Sequence, residues 1–271
     1  MYGPRNPEAF PVTPGSEGSG VVEEVGSGLA TQWLLGKRVA FLHSTDPKIG
    51  GAYAEYAVTD IKRVIPLDDS ASLEDGATYF VNPLTAVCMV KRAKELGATA
   101  LILTAGASSL GRMIVRIAPK YGITPIATVR RAEQADLLKN EFGCEYIINT
   151  SDEDYKTKFA EVSKKLNPTV CLECISGETT GEMFNYLGMG GTVILYGAMS
   201  KQAASGINPM AFLGKNMKME AFLLAFYLDP MSLLEYAQFI MEVEPLYKEL
   251  LTTTINARYG LHQIQEAIAF Y

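Results

Sequence analysis

The stretch that decides the fold runs Thr99-Ala100-Leu101-Ile102-Leu103-Thr104-Ala105-Gly106-Ala107-Ser108-Ser109-Leu110-Gly111 and reaches, after an amphipathic segment, Thr124-Pro125-Ile126-Ala127-Thr128-Val129-Arg130-Arg131. An apolar run enters a turn of small residues, and a helical pattern leaves it. This is the strand-turn-helix context that a dinucleotide fingerprint requires. Gly106 permits the tight turn, Gly111 lets helix and strand approach closely, and the first N–H groups of the helix offer an anion site favoured by the helix dipole. Ser108 stands in the middle glycine position, where a small side chain is tolerated and its hydroxyl can itself donate a hydrogen bond.

The second strand, Thr124 to Val129, ends in Arg130-Arg131, about twenty residues beyond the last glycine, where a protein selective for NAD places a carboxylate on the ribose hydroxyls. A carboxylate there repels a 2′-phosphate, whereas a guanidinium presents a donor fork to its oxygens. The pair therefore predicts NADP(H) in preference to NAD(H), with Arg130 the first ligand and Arg131 the second.

Outward from this stretch, strand-like runs alternate with amphipathic segments. They are Ala132 to Phe142, Tyr146 to Ile148, Tyr155 to Leu166, Thr169 to Ile175, Gly181 to Leu187 and Thr192 to Tyr196. Strand and helix alternating in this way predict an α/β fold, a doubly wound parallel sheet of the Rossmann type. Residues up to Leu67 are instead rich in Gly and short alternating stretches such as Val21 to Val25 and Lys37 to Phe41, which predicts an irregular, mostly β unit. Ser72 is a candidate N-cap, and Asn82-Pro83 marks a helix start. A boundary falls near residue 75. Towards the C-terminus the pattern predicts helix from Met231 to Leu251, a strand over Thr252 to Ala257 and a last helix from about Leu261.

The chain has 271 residues, is 48% hydrophobic and carries a formal charge of −6. That balance excludes a broad nucleic-acid footprint, which needs clustered Lys and Arg. No run of about 18 apolar residues predicts a membrane span, and Met1 to Pro14 has neither a secretory nor a transit-peptide pattern. Four scattered cysteines (Cys88, Cys144, Cys171, Cys174) do not make a disulfide framework. The expectation is a cytoplasmic protein, with the mitochondrial matrix as the alternative.

Only His43 and His262 are present, and neither stands in a ligand-like pair, so no metal is expected. Cys171-Leu172-Glu173-Cys174 spells Cys-x-x-Cys, but within an apolar strand positions three apart point to opposite faces. Packing is the favoured role for Tyr53, Tyr56 and Tyr79, although a phenol can act as a general acid.

These features, with several flanking segments, resemble the medium-chain dehydrogenase/reductase superfamily, specifically its zinc-free quinone oxidoreductase-like and 2-enoyl thioester reductase branches. Pro14 to Gly20 followed by Val25-Gly26 is similar to the family's Gly-His-Glu element, Gly36 to Val39 to its Gly-Asp-x-Val turn, and Gly51 to Tyr56 to its next strand. Ser16 stands where zinc-dependent members carry a ligand histidine, and the lobe that holds a structural zinc has no counterpart. The resemblance implies a partial GroES-like substrate domain over 1–75, to which 253–271 return, and a Rossmann domain over 76–252. Against the family both ends read as shortened, and the early tyrosine that donates a proton in the enoyl reductase branch has no match. The catalytic acid is thus unassigned, and Glu17 is given a role in ordering its turn.

By the same resemblance Asn82 and Thr85 approach the nicotinamide, as does the loop Tyr196-Gly197-Ala198. Gly106, Ser108, Leu110 and Gly111 hold the pyrophosphate, Arg130 and Arg131 the 2′-phosphate, and Ile175 and Ser176 border the adenosine half. The implied function is NADPH-dependent, zinc-independent hydride transfer to a quinone, enone or 2-enoyl thioester. The alternative is a catalytically silent NADP(H)-binding accessory subunit of a larger assembly. The apolar run near Lys218 to Leu224, placed at a sheet edge, implies a homodimer.

Overall fold

The computed structural model describes residues 13–44 and 50–270. Parts of the expected first domain, including nearly all of the Met1 to Pro14 segment, lie outside the described residues. The chain packs as two compact units, one drawn from residues up to Val81 with Leu233–Tyr247 and Thr252–Tyr271, the other from Asn82–Ser232 with Lys248–Leu251.

In the first unit β1 (Glu17–Val21), β2 (Arg38–Leu42) and β3 (Val64–Pro66) form an antiparallel sheet in that order. Leu34, Val39 and Val64 make its small core, with Val22, Val25, Phe41 and Ile61 packed against it. The connections hold a short helix α1 (Leu29–Gln32) and, after the sheet, α2 (Leu73–Gly76). Ser72 is the N-cap of α2 in a capping box: its hydroxyl accepts the Asp75 N–H at 3.0 Å while the Asp75 carboxylate accepts the Ser72 N–H at 3.2 Å. Gly51 to Tyr56, expected as a strand, forms bends instead. The N–H groups of Gly51, Ala52 and Tyr53 bond to the carbonyls of Thr13, Gly15 and Pro14, which satisfies them without a ladder.

The second unit is a six-stranded, wholly parallel sheet. Its strands are β4 (Ala100–Leu103), β5 (Thr124–Val129), β6 (Tyr146–Asn149), β7 (Val170–Glu173), β8 (Thr192–Leu195) and β9 (Lys218–Ala221), in the spatial order β6-β5-β4-β7-β8-β9. This is the doubly wound Rossmann order, with its reversal between β4 and β7. The helices are α3 (Val81–Glu95), α4 (Ser109–Ile117), α5 (Ala132–Phe142), α6 (Tyr155–Leu166), α7 (Glu178–Tyr186), α8 (Pro209–Gly214) and α9 (Leu224–Leu228). α3 starts at Val81, so Pro83 falls in its first turn, where its missing N–H leaves no intrahelical bond broken.

β4 is buried along its whole length, as a central parallel strand covered on both faces must be. Ile102, Ile126, Cys171 and Val193 share one core with Phe159 of α6 and Met183 and Phe184 of α7. Arg92 of α3 holds Glu220 of β9 through two bonds of 2.8 and 2.9 Å, and the guanidinium keeps that carboxyl below its ordinary pKa.

β9 is the edge strand anticipated near Lys218, but it ends at Ala221, and Leu224 already begins α9. After it come α10 (Leu233–Leu250) and α11 (Ile264–Phe270). Thr252 to Ala257, expected as a strand, is irregular: alternation of side chains makes a strand only where a neighbouring chain offers a ladder. In the first unit Tyr247 stacks on Tyr79 with ring centroids 4.3 Å apart, and the Tyr236 hydroxyl donates to the Val64 carbonyl at 3.3 Å.

Glu17 closes the first unit electrostatically. Its carboxylate accepts the Val81 N–H at 2.7 Å, at the N-terminal end of α3. Burial pushes its pKa up, and the N–H groups of Val81 and Phe80 only partly offset this. The folded state therefore holds the proton more tightly than the unfolded chain. The contribution of this group to stability is full at pH values below the unfolded carboxyl range and is lost as pH rises through its folded value. Glu17→Gln keeps an acceptor for Val81 without the buried charge. Its stability relative to the parent, from urea unfolding, is expected to improve steadily between pH 4 and pH 7; a difference independent of pH would refute the assignment.

Candidate functional site

The Gly106–Gly111 turn, Arg130 and Arg131, Ile175 and Ser176, and the Tyr196–Ala198 loop all lie at the edge where the strands end, beside the reversal between β4 and β7. β4 leads into a turn with Ala105 at φ +51° and Gly106 buried behind it; the Gly106 N–H bonds to the Thr128 carbonyl of β5 at 2.9 Å. A Cβ on Gly106 would stand 2.7 Å from the Ala127 Cβ, and one on Gly111 would stand 2.7 Å from the Ala105 carbonyl oxygen and closer still to that of Gly106. Gly111 is required by contact between backbones, and Gly106 by its packing on the Ala127 side chain.

Ser108 is the N-cap of α4, its hydroxyl accepting the Gly111 N–H at 3.1 Å. The expected hydroxyl contact to a ligand is thus one of two uses: the oxygen caps the helix, and its proton is available to a ligand. The N–H groups of Ser109 and Leu110 lie in the first turn, where helix geometry supplies no acceptor. The turn can therefore receive an anion from two amides and one hydroxyl, at the positive end of the helix dipole.

Arg130 and Arg131 follow the C-terminal end of β5, both exposed, and Arg131 is the N-cap residue of α5. The Arg130 peptide is pinned on both sides. Its N–H bonds to Gln134 Oε1 at 3.1 Å, and its carbonyl accepts the Ser151 hydroxyl at 2.8 Å. Among the described residues no ion pair engages either guanidinium. Two uncompensated cations beside a glycine turn form an electrostatic trap for a phosphate group.

On the other side of the reversal, Ile175 and Ser176 continue from β7 and the Tyr196 to Ala198 loop from β8. The two loops run together: the N–H groups of Met199 and Ser200 bond to the carbonyls of Cys174 and Ile175 at 2.9 and 2.8 Å, and Gly197 packs against Cys174. Ser176 is buried at φ +68°, and its hydroxyl donates to the Gln202 carbonyl at 2.8 Å. Thr104 joins the two sides, its hydroxyl accepting the Cys174 N–H at 3.0 Å. Asn82 and Thr85 occupy the first turns of α3, and no hydrogen bond among the described residues joins either to these loops.

Sequence reasoning missed Glu173, Thr104, Gln134 and Ser151. For Glu173 the signal was present, a single acidic residue inside an apolar strand. Its carboxylate is fully buried and accepts the N–H groups of Ile175 and Ser176 and the Thr180 hydroxyl.

Cys171 and Cys174 are free and buried, and burial pushes both thiols up from their ordinary pKa. Among the described residues no group of three or more His, Cys, Asp or Glu could hold a metal ion. Tyr53 and Tyr56 are exposed, while Tyr79 is buried in its stack with Tyr247. A cavity of about 500 Å³ opens at the opposite edge of the sheet, between Val115, Arg116, Thr124 and Phe142, away from the glycine turn.

A parallel sheet in this order, with a glycine turn at its reversal and a separate antiparallel unit, defines a dinucleotide-fold dehydrogenase architecture. Comparison with known proteins narrows the class. Residues 1–69 match the alcohol dehydrogenase GroES-like domain family and residues 109–240 the zinc-binding dehydrogenase family. A Mesorhizobium loti protein described as an NADPH:quinone reductase is 32% identical, with a TM-score of 0.83 over 92% of this chain and 71% of that one. The Escherichia coli quinone oxidoreductase solved with NADPH shares the fold at 22% identity, with a TM-score of 0.82 over 99% of this chain and 80% of that one. The mitochondrial enoyl-[acyl-carrier-protein] reductase of Xenopus tropicalis is 29% identical over 223 residues, 79% of this chain and 60% of that protein. The chain thus spans less than two thirds of the length of such curated relatives. It belongs to the medium-chain dehydrogenase/reductase superfamily, in the branch of quinone oxidoreductases and enoyl reductases.

Gly111→Ala tests the close approach. The added methyl must displace backbone rather than a flexible side chain, at a cost of about 1–3 kcal/mol. The melting temperature is expected to fall by several degrees, since ~1 kcal/mol corresponds to about 2–4 °C in a chain of this size. An unchanged melt would show that the turn yields.

Proposed function

We propose that this chain binds NADP(H) and passes hydride to a quinone, enone or 2-enoyl thioester without zinc. The reading is carried by one observation: two exposed guanidiniums at the end of β5, in no ion pair among the described residues, beside a glycine turn that opens two amides of α4 to an anion. The residues present fit the cofactor. Gly106, Ser108, Leu110 and Gly111 would hold its pyrophosphate and Arg130 and Arg131 its 2′-phosphate. Ile175 and Ser176 would border the adenosine half, and Asn82, Thr85 and Tyr196 to Ala198 the nicotinamide.

The bound cofactor supplies the hydride. The chain's part is to fix the acceptor against it and exclude water. The acceptor classes follow those named for the relatives, quinones and enoyl thioesters. Zinc independence rests on Ser16, an exposed alcohol where a ligand histidine is needed. The buried free thiols fit a reducing compartment, the cytoplasm or the mitochondrial matrix. Among the described residues no helix is long and apolar enough to cross a membrane.

NADPH oxidation assayed against quinones, enones and 2-enoyl-CoA esters is expected to show turnover with at least one class. Tight NADPH binding without turnover on any of them supports the accessory-subunit reading instead. Arg130→Ala is expected to weaken NADPH by roughly 10- to 150-fold, the equivalent of losing a charge-assisted contact of about 1.5–3 kcal/mol, and to leave NADH unaffected. Equal affinity of the parent for NADH and NADPH would overturn the 2′-phosphate assignment.

We also propose a homodimer through the β9 edge. There Met219 and Leu223 are about half exposed and Phe226 is 76% exposed, and a second copy would cover them while pairing the open edge. Sedimentation at micromolar concentration is expected to give twice the 29.5 kDa chain mass; a monomer would rule the interface out.

A further inference from the structure

Two strand-turn-helix units meet at the reversal of the sheet, β4 into α4 and β7 into α7, joined by the Thr104–Cys174 bond. Each directs a helix N-terminus toward the same edge, so the fold alone offers two places for a phosphate group. Their chemistry differs. At α4 the cap is the neutral Ser108, and the Ser109 and Leu110 amides have no intrahelical acceptor. Ahead of α7, Glu173 takes the Ile175 N–H at 2.6 Å, the Ser176 N–H at 3.1 Å to each carboxylate oxygen, and the Thr180 hydroxyl at 2.8 Å.

Other groups of that turn are engaged as well, although α7 itself has no side-chain cap. The carbonyls of Cys174 and Ile175 accept from Met199 and Ser200, and the Ser176 hydroxyl is held by Gln202. Ser176 at φ +68° and Gly177 at φ +68° place two successive residues in the left-handed region, and for Ser176 this costs about 1–2 kcal/mol that the Glu173 bonds must offset. The carboxylate is fully buried and hence weakly screened, so it opposes any second anion at the start of α7.

We propose that Glu173 is a positioning and specificity residue: a built-in anion that occupies the α7 end of the crevice, fixes the Cys174–Gly177 turn, and leaves the α4 end to receive the cofactor pyrophosphate. This rests on the NADP(H) reading above. It predicts that the turn offers the cofactor apolar and backbone surface, chiefly at Ile175, with the Ile175 and Ser176 amides withheld from phosphate.

The test compares Glu173→Gln with Thr180→Val in the full chain, reading NADPH affinity by fluorescence titration, melting temperature, and exchange of the Ile175 and Ser176 amides without cofactor. Thr180→Val removes one donor and leaves the charge and both amide bonds, so it is expected to lower the melting temperature while NADPH affinity stays within twofold. Glu173→Gln is expected to speed exchange of both amides and weaken NADPH at least fivefold. Should the glutamine variant fail to fold, Glu173→Asp, which keeps the charge on a shorter arm, is expected to weaken NADPH by two- to fivefold.

NADPH affinity within twofold of the parent in the position-173 variant that folds overturns the proposal. So does a loss of affinity that merely tracks melting temperature across the set. A parent chain that binds no NADPH overturns the functional reading itself, and this proposal with it.

Discussion

The contact between α4 and the turn before it constrains everything around it. Gly111 sits so close to the carbonyl oxygens of Ala105 and Gly106 that no side chain fits, and Gly106 is bonded in turn to Thr128 and packed on Ala127. The start of α4 is thereby aimed by the close approach of backbone to backbone at Gly111 and by the packing of Gly106 on Ala127, against a strand buried along its full length. In a close-packed interior such a fit leaves little room for a second arrangement. The direction of the first-turn amides, and with it the anion site, follows from the fold before any functional side chain is considered.

The second unit was legible in the sequence because its signals are local. Thr124–Val129, Ala132–Phe142 and Tyr155–Leu166 have the bounds that their periodicity predicts, since a buried strand and an amphipathic helix each declare themselves over a few residues. The first unit and the C-terminal segment were less legible for the opposite reason. Gly51 to Tyr56 and Thr252 to Ala257 have the composition of strands, but strand formation depends on a partner elsewhere in the chain, and composition does not say whether the partner is in register.

The candidate site divides along the same line. Gly106, Gly111, Arg130 and Arg131 are marked by position relative to one strand-turn-helix unit, so spacing finds them. Gln134 and Ser151, which pin the Arg130 peptide from two different elements, have no spacing signal: a glutamine in a first helical turn and a serine after a strand are ordinary surface residues until the sheet brings them together. Glu173 is the intermediate case. A lone carboxylate in an apolar strand marks itself as exceptional, because burying its charge is costly without several donors, yet only the turn that follows shows which donors it finds.

Carboxylates at helix starts give the two units a common logic. Glu17 accepts the first N–H of α3, and Glu173 the amides that lead into α7. A helix end that already holds a buried negative charge gains little from a second anion and repels it. α4 is capped by a neutral serine, and α5, like α7, has no side-chain cap; what sets α7 apart is the Glu173 carboxylate on the two amides ahead of its cap. In the proposed reading α4 and α5 receive the pyrophosphate and the 2′-phosphate respectively. On that reading a buried carboxylate placed just ahead of a helix, rather than its cap, distinguishes one helix dipole from its equivalents.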